Sequence, residues 1–100
     1  MATVAQIRKV SRDCSLLFNA LGDPNRQDIV IMLEHEGALN VLQITERLNL
    51  ARPTVSHHLK ILMNAGLLKS TKKSREIYYE SDWADASMNL KRFMKLLSDC

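Results

Sequence analysis

Hydrophobic positions recur at intervals of three and four along five segments of the chain, which is the spacing of one face of an α-helix. Glycine, which commonly ends helices, follows three of these segments at Gly22, Gly37 and Gly66. Asp23 before Pro24 combines a capping residue with a proline that suits the first helical turn. The pattern predicts helices over residues 3 to 21, 24 to 36, 41 to 48 and 53 to 65. It also predicts a last helix that Ser81 or Asp82 caps and that runs to the end of the sequence.

A different pattern occupies the segment between the fourth and fifth predicted helices. Residues 67 to 73 and 76 to 80 predict two short strands around a charged turn, the second built on Ile77-Tyr78-Tyr79. The expected fold is therefore mainly α with a small β-hairpin: a winged helix-turn-helix in a single domain, since 100 residues are too few for two cores. We assign the dimerisation helices to 1–22 and 81–100, the helix-turn-helix to 40–66 and the wing to 67–80.

Both terminal helices carry apolar stripes that the segment between them is too small to cover. A second copy of the chain is the simplest partner for such stripes, because twofold homodimers are the commonest oligomers. We therefore predict a homodimer that forms through the terminal helices. The predicted interface residues are Val4, Ile7, Cys14, Trp83, Leu90, Phe93 and Leu97.

The charged residues are divided unevenly along the chain, although the net charge is only +3. Between Arg47 and Arg75 there are seven basic residues and no acidic one, whereas the other 71 residues hold seven basic and eleven acidic residues. A continuous basic segment attracts polyanions, and its affinity for nucleic acid should fall steeply with salt. A solvated basic surface that binds nothing is the alternative interpretation.

The fourth predicted helix lies inside this basic segment and is amphipathic. At about 100° per residue, Val55, Leu59 and Leu62 share one face. His58 falls close to that face, so a structural role is expected for it. The opposite face carries side chains that can hydrogen-bond to base edges and phosphates. These outward residues are Pro53, Ser56, His57, Lys60 and Asn64.

Three segments together, LGDPNR from Leu21, LARPTVSHHLKIL from Leu50 and AGLL from Ala65, resemble the ArsR/SmtB family over residues 14 to 80. The resemblance implies a bacterial transcriptional repressor that binds double-stranded DNA at a pseudo-palindromic operator. It places Lys72, Lys73 and Arg75 of the wing against the adjoining minor groove or backbone. The residues that it places at the major groove are Arg52, Thr54, Ser56, His57 and Lys60.

Two residues depart from the family pattern without removing a DNA contact. Ala51 stands where a capping serine is usual, and Ser74 replaces the usual glycine of the wing turn. The metal ligands of the family are missing as well: residues 38–43 hold no cysteine, and the last helix holds no histidine. We therefore expect no metal site, no cofactor and no small-molecule ligand.

The two cysteines are the remaining candidates for a regulatory switch. Cys14 and Cys100 lie on the apolar stripes of the first and last helices. In the simpler interpretation, Cys14 is a small buried hydrophobic residue and Cys100 a terminal residue without a role. The alternative is a thiol-responsive repressor in which a Cys14–Cys100 disulfide, within or between protomers, reports oxidation.

Other classes of function fit the sequence less well. A winged-helix protein-interaction module that has lost DNA binding would not need seven basic residues unbroken by an acidic one. An enzyme is not expected, because no carboxylate accompanies the exposed hydroxyls and histidines and no glycine-rich phosphate loop exists. The chain shows neither a membrane span nor an apolar N-terminal signal, so the cytoplasm is the expected location.

Overall fold

A computed structural model describes residues 1–99 as a mainly helical protein with one small antiparallel sheet. No helix within this range has the length and apolar character that crossing a bilayer requires. In chain order the elements are α1 (Val4–Asp13), α2 (Ser15–Leu21), α3 (Pro24–Glu36), β1 (Leu39–Asn40), α4 (Val41–Leu48), α5 (Arg52–Asn64), β2 (Leu68–Lys73), β3 (Glu76–Ser81) and α6 (Ala84–Ser98).

The first predicted helix is two helices, so the prediction of one helix over residues 3 to 21 was wrong. The break falls at Cys14, whose N–H donates to the carbonyls of both Val10 and Ser11 at 3.1 Å. The Ser15 hydroxyl donates to the Ser11 carbonyl at 3.3 Å, a back-bond that often bends helices. The bend lets α2 turn Leu17 into the core while α1 packs against α6.

Helices α3 and α4 begin where the sequence predicts, and a side chain caps each of them. Asp23 caps α3, because its carboxylate accepts the backbone N–H of Arg26 at 3.0 Å. Asn40 and Gln43 form a reciprocal capping box at the start of α4, with both bonds at 2.9 Å. Asn49 ends α4 in the left-handed conformation, with φ of 54°, and α5 begins three residues later. The predicted helix-turn-helix is present.

The predicted hairpin is also present, but it belongs to a three-stranded sheet of order β1-β3-β2. The prediction missed β1, which pairs Leu39 with Tyr79 and Asn40 with Tyr78. Two residues are too few to show the alternation by which a strand is recognised. The extra strand attaches the wing to the start of α4.

The last helix begins at Ala84, so the predicted caps Ser81 and Asp82 were wrong. Ser81 is the last residue of β3, paired with Leu68, and its hydroxyl donates to the carboxylate of Glu34. The N–H of Asp82 donates to the Leu67 carbonyl at 2.8 Å. Strand pairing therefore occupies Ser81, the bond to Leu67 occupies the N–H of Asp82, and the helix follows Trp83 instead.

The core lies where α2, α3, α4 and α5 meet the sheet. α5 contributes Val55, Leu59 and Leu62, which fix the side of this helix that faces inward. α6 contributes Ala86 near its start, so most of α6 extends beyond the core and gives the chain an elongated shape of 50 × 23 × 20 Å. The core residues are Leu17, Ala20, Ile29, Val30, Leu33, Leu39, Ile44, Val55, Leu59, Leu62, Leu67, Leu68 and Ala86.

Candidate nucleic-acid interface

The outward face of α5 is exposed along the whole helix. Its inward residues Val55, Leu59 and Leu62 are buried, which leaves a row of polar and basic side chains in solvent on the other side. Every candidate that the sequence placed on α5 lies in this row. The exposed residues are Arg52, Pro53, Thr54, Ser56, His57, Lys60 and Asn64.

The two adjacent histidines of α5 lie on different sides of the helix. His57 is exposed, whereas His58 is only 8% exposed and its Nδ1 lies 3.3 Å from Nη1 of Arg26 on α3. The ring centroids are 6.4 Å apart. His57 can therefore contact an external ligand, while His58 is engaged inside the protein.

The wing presents the remaining cationic candidates at its tip. Lys72, Lys73 and Arg75 are all exposed around the turn that joins β2 to β3. Ser74 in that turn has φ of 56°, the left-handed conformation that glycine adopts more easily. Nζ of Lys73 lies 5.8 Å from the centroid of the Tyr78 ring, within cation–π range.

Carboxylates neutralise only part of the basic segment. Within residues 1–99, Arg47 pairs with Glu36 at 2.7 Å and Lys69 with Glu80 at 3.8 Å. The other five basic residues of the segment form no ion pair in the part of the chain that is described. Those five, the cations of α5 and the wing tip, are Arg52, Lys60, Lys72, Lys73 and Arg75.

A defined turn sets the direction in which the wing leaves α5. The N–H of Leu67 donates to the Leu62 carbonyl at 3.1 Å and that of Gly66 to the Met63 carbonyl at 3.0 Å. This pair of bonds is the Schellman motif, and Gly66 supplies the positive φ of 74° that it needs. Since Leu67 is also fully buried, the wing starts from a fixed point beside the helix.

The residues predicted at the dimer interface differ in how far they are exposed in this structure. Cys14 is fully buried within its own chain, and Trp83 and Leu90 pack partly against the core. Ile7 and Phe93 are half-buried, whereas Val4 and Leu97 are exposed. The terminal helices also expose large apolar residues that the sequence analysis did not single out, namely Leu16, Met88 and Met94.

The candidate sensing groups are possible metal ligands and the two cysteines. No group of three or more metal-ligating side chains occurs among residues 1–99. Burial, together with the neighbouring charge of Asp13, raises the pKa of the Cys14 thiol above its ordinary value. Cys100 lies outside the described residues, so the predicted Cys14–Cys100 pair remains a prediction.

The sequence analysis missed two residues of this region. Arg26 was noticed only as part of the LGDPNR segment, and nothing in the helical periodicity indicates that its side chain reaches α5. Ile77 is 46% exposed on the wing, beside the cationic tip. Of the run Ile77-Tyr78-Tyr79, only Tyr79 packs against the core.

A helix-turn-helix whose second helix and adjoining wing carry unpaired cations defines a winged-helix DNA-binding protein. The sequence profile of the bacterial regulatory proteins of the arsR family matches residues 23–70, from the start of α3 into β2. The chain belongs to this family and is a DNA-binding transcriptional repressor of the ArsR type. Its relatives are transcriptional regulators.

Two relatives show how far the sequence similarity extends. The uncharacterized HTH-type transcriptional regulator MJ1325 of Methanocaldococcus jannaschii is 40% identical over 63 residues, which cover 63% of this chain and 71% of the relative. The transcriptional repressor SdpR of Bacillus subtilis is 36% identical over 63 residues, which cover 63% and 69%. Of two longer relatives the chain spans 61% and 58%.

The structural similarity extends over almost the whole chain. An ArsR-like transcriptional regulator from Rhodococcus sp. RHA1 superposes with a TM-score of 0.81 at 24% identity, covering 98% of this chain and 85% of that one. At this identity the comparison shows the fold alone. It confirms the winged helix-turn-helix architecture, including the terminal helices that lie outside the family profile.

Proposed function

We propose that the chain represses transcription as a homodimer that holds a pseudo-palindromic operator, with one α5 in the major groove of each half-site. The observation that supports this is the row of exposed polar and basic residues on α5, which continues into the unpaired cations of the wing tip. An α-helix fits into the major groove of DNA, where each base pair presents a distinct set of hydrogen-bond donors and acceptors. The helix would supply sequence discrimination and the wing would supply affinity.

The exposed side chains of α5 have the chemistry that sequence discrimination requires. Arg52 and Lys60 would bind guanine or phosphate, and the hydroxyls of Thr54 and Ser56 and the imidazole of His57 would hydrogen-bond to base edges. All five are exposed and none is held by an ion pair within residues 1–99. They can therefore reorganise around DNA without first breaking a contact inside the protein.

The wing would bind the backbone or the minor groove beside each half-site. Lys72, Lys73 and Arg75 surround a short turn, so three positive charges can approach the phosphates together. These contacts carry little sequence information and depend strongly on salt.

The terminal segments, residues 1–22 and 81–100, would form the dimer contact, with 40–66 as helix-turn-helix and 67–80 as wing. Val4 at 69% exposure, Met88, Met94 and Leu97 leave apolar side chains in solvent on α1 and α6. A second copy would cover them and set the two α5 helices about 34 Å apart, one turn of DNA. Leu90, Phe93, Ile7 and Trp83 would support this contact from beneath, while Cys14 would only fill the protomer interior.

We infer that neither a metal of the family type nor oxidation of Cys14 is the signal, and that the protein catalyses no reaction. The cysteine and histidine ligands of the family's metal sites are absent, because residues 38–43 hold no cysteine and the last helix holds no histidine. A fully buried thiol with a raised pKa reacts slowly with oxidants. The exposed His57 has no carboxylate partner among the hydrogen bonds of residues 1–99 that would make it a catalytic base.

The test starts by selecting a preferred duplex from a random DNA library with the wild-type protein. Anisotropy titrations at two salt concentrations then compare this duplex with a shuffled one for wild type, Arg52→Ala, His57→Ala and Lys9→Ala. Arg52→Ala and His57→Ala should lose the preference. Lys9→Ala removes an exposed cation from the side of α1 that faces away from Val4 and Ile7, and should keep it. Absence of DNA binding by the wild type at low salt would overturn the proposal and favour a protein-interaction module.

A further inference from the structure

The side chain of Arg26 connects three helices. It starts in the first turn of α3 and donates from Nε to the Ala20 carbonyl at 2.8 Å and from Nη2 to the Asn19 carbonyl at 3.2 Å. Both carbonyls belong to the last turn of α2, where helical N–H donors run out. The Asn19 carbonyl also accepts the N–H of Gly22 at 3.2 Å, so the guanidinium is its second donor. The remaining nitrogen, Nη1, lies 3.3 Å from Nδ1 of His58 on α5.

The chemistry of the two groups fixes which atom donates. A guanidinium has five N–H donors and no acceptor, so Nδ1 of His58 must accept and its proton must reside on Nε2. The planar fork of arginine can direct its nitrogens to three separate acceptors at once, whereas the ammonium of lysine is a single point. Arg26 is therefore suited to this position in a way that lysine is not.

The contact adds a directional constraint to α5, because its apolar contacts select the inward side but limit small rotations only coarsely. Val55, Leu59 and Leu62 hold the helix against the core, but apolar packing is only weakly directional. A hydrogen bond loses strength steeply when its angle departs from linearity. Rotation of α5 about its own axis would break the bond to His58, and the same rotation would turn His57 away from its present direction.

We propose that Arg26 is a positioning residue for DNA recognition: it holds the rotation of α5 by binding His58 while it is anchored on the end of α2. The inference rests on the proposed function, because it assumes that the outward face of α5 reads bases. It assigns to Arg26 no contact with DNA. Its effect should appear in discrimination between sequences rather than in binding to DNA in general.

A neighbouring residue separates this role from simple helix capping. Gln27 also reaches back from α3, and its Nε2 donates to the Leu21 carbonyl at 2.7 Å. Gln27 makes no hydrogen bond to α5 within residues 1–99. Arg26 and Gln27 thus both cap α2, but only Arg26 is joined to the DNA-reading helix, so Gln27→Ala is the matched control.

The experiment measures the ratio of affinities for the selected and shuffled duplexes at one salt concentration. Arg26→Gln and Arg26→Lys should lower this ratio about tenfold, since each misplaced base contact removes an appreciable part of the discrimination. Gln27→Ala should lower the melting temperature but leave the ratio unchanged. If Gln27→Ala and Arg26→Gln changed the ratio equally, or neither changed it, the positioning role would be wrong.

Substitutions of His58 test the same bond from the other side. The amide oxygen of asparagine falls near the place of Nδ1, whereas that of glutamine falls near the place of Nε2. His58→Asn should therefore keep most of the discrimination and His58→Gln should lose it. The opposite order would contradict a bond through Nδ1.

A readout without DNA makes failure of this inference distinguishable from failure of the proposed function. The ¹⁵N shifts of the His58 ring should show protonation on Nε2 in the wild type, and Arg26→Gln should change them while Gln27→Ala should not. Unchanged ring shifts in Arg26→Gln would overturn the positioning role even if the protein binds DNA. A wild type that shows the expected ring shifts but prefers no duplex would overturn the proposed function, and the positioning role with it.

Discussion

Phe18 on α2 and Phe93 on α6 pack with their ring centroids 5.6 Å apart and their planes tilted by 57°. Tilted aromatic pairs are favourable beyond the area they bury. This pair joins the second half of α6 to α2, and α6 also packs against α1. Because Ala86 is the only residue of α6 in the buried core among residues 1–99, the orientation of α6 depends on contacts that remain partly open to solvent.

Replacing Phe93 should weaken both the protomer and the dimer. Phe93→Ala removes a half-buried ring, so the free energy of unfolding should fall by about 1–3 kcal/mol. The loosened α6 should also raise the concentration at which dimers dissociate. Urea unfolding at two protein concentrations and sedimentation measure these effects. Glu46→Ala, an exposed position on α4 outside the terminal helices, should change neither; equal behaviour of the two variants would contradict the prediction.

A cation of the wing should contribute to affinity without contributing to specificity. Lys73→Ala should weaken binding to the selected and shuffled duplexes alike, and lower the slope of log affinity against log salt by about 1. Titrations at several salt concentrations measure both quantities. A loss confined to the selected duplex would mean that Lys73 contacts bases.

The start of α5 should gain stability from a capping side chain. Ala51 has the extended backbone of a capping residue but provides no side-chain acceptor. Because Pro53 has no N–H, a serine here would accept the N–H of Thr54, and Ala51→Ser should raise the free energy of unfolding by about 1 kcal/mol. Asn40→Ala is the mirror experiment: it removes the existing cap of α4 and should lower stability by a similar amount. Chemical denaturation measures both changes.

The wing turn should also be open to stabilisation. Ser74 is held at φ of 56°, which costs a residue with a Cβ more than it costs glycine. Ser74→Gly should raise the free energy of unfolding by about 0.5–1 kcal/mol. Ser70→Gly, an exposed position in β2 with ordinary strand backbone, should instead lower it by a similar amount. A destabilised Ser74→Gly variant would show that the turn is unstrained.

Cys14 should be chemically inert in the folded protein. Because burial raises the pKa of its thiol, less thiolate is present near neutral pH, and iodoacetamide should label Cys14 only after denaturation. Mass spectrometry of a Cys100→Ser variant measures this directly. Equally fast labelling of the native and the denatured protein would contradict this prediction. Oxidation of Cys14 would then again be a candidate signal.

The same raised pKa gives a signed dependence of stability on pH. Above the ordinary value of 9.0 the unfolded chain loses the thiol proton first, so the contribution of Cys14 is present below pH 9 and declines as pH rises through that value. Unfolding of Cys100→Ser at pH 7 and pH 10, compared with a variant that also carries Cys14→Ala, isolates this contribution. The difference between the two variants should shrink at pH 10.

Prediction from sequence succeeded where a single local pattern determined the outcome. The spacing of Val55, Leu59 and Leu62 was enough to orient α5, and Asp23 with Pro24 was enough to start α3. It was wrong at Cys14, because the bend depends on where α1 and α2 find their separate partners in three dimensions. It was also wrong at Ser81, because this residue pairs with Leu68 in the sheet and does not cap α6.

For the candidate nucleic-acid interface, too, prediction from the sequence was limited to local patterns. Exposure of the candidate residues on α5 follows from periodicity, and the glycine that the family usually has at position 74 is consistent with the positive φ of Ser74. The bond between Arg26 and His58 joins positions 32 residues apart, and no periodicity along the chain contains that information. Long-range polar contacts of this kind require the fold to be known first.

The sheet order β1-β3-β2 has a mechanical consequence. β1 leads directly into α4, α5 leads through the Gly66 turn into β2, and β3 returns to pair with β1, so these elements form a closed ring of covalent and hydrogen-bonded connections. A displacement of one element of this ring is therefore passed on to its neighbours through bonded connections. We expect α4, α5 and the wing to move together as one unit.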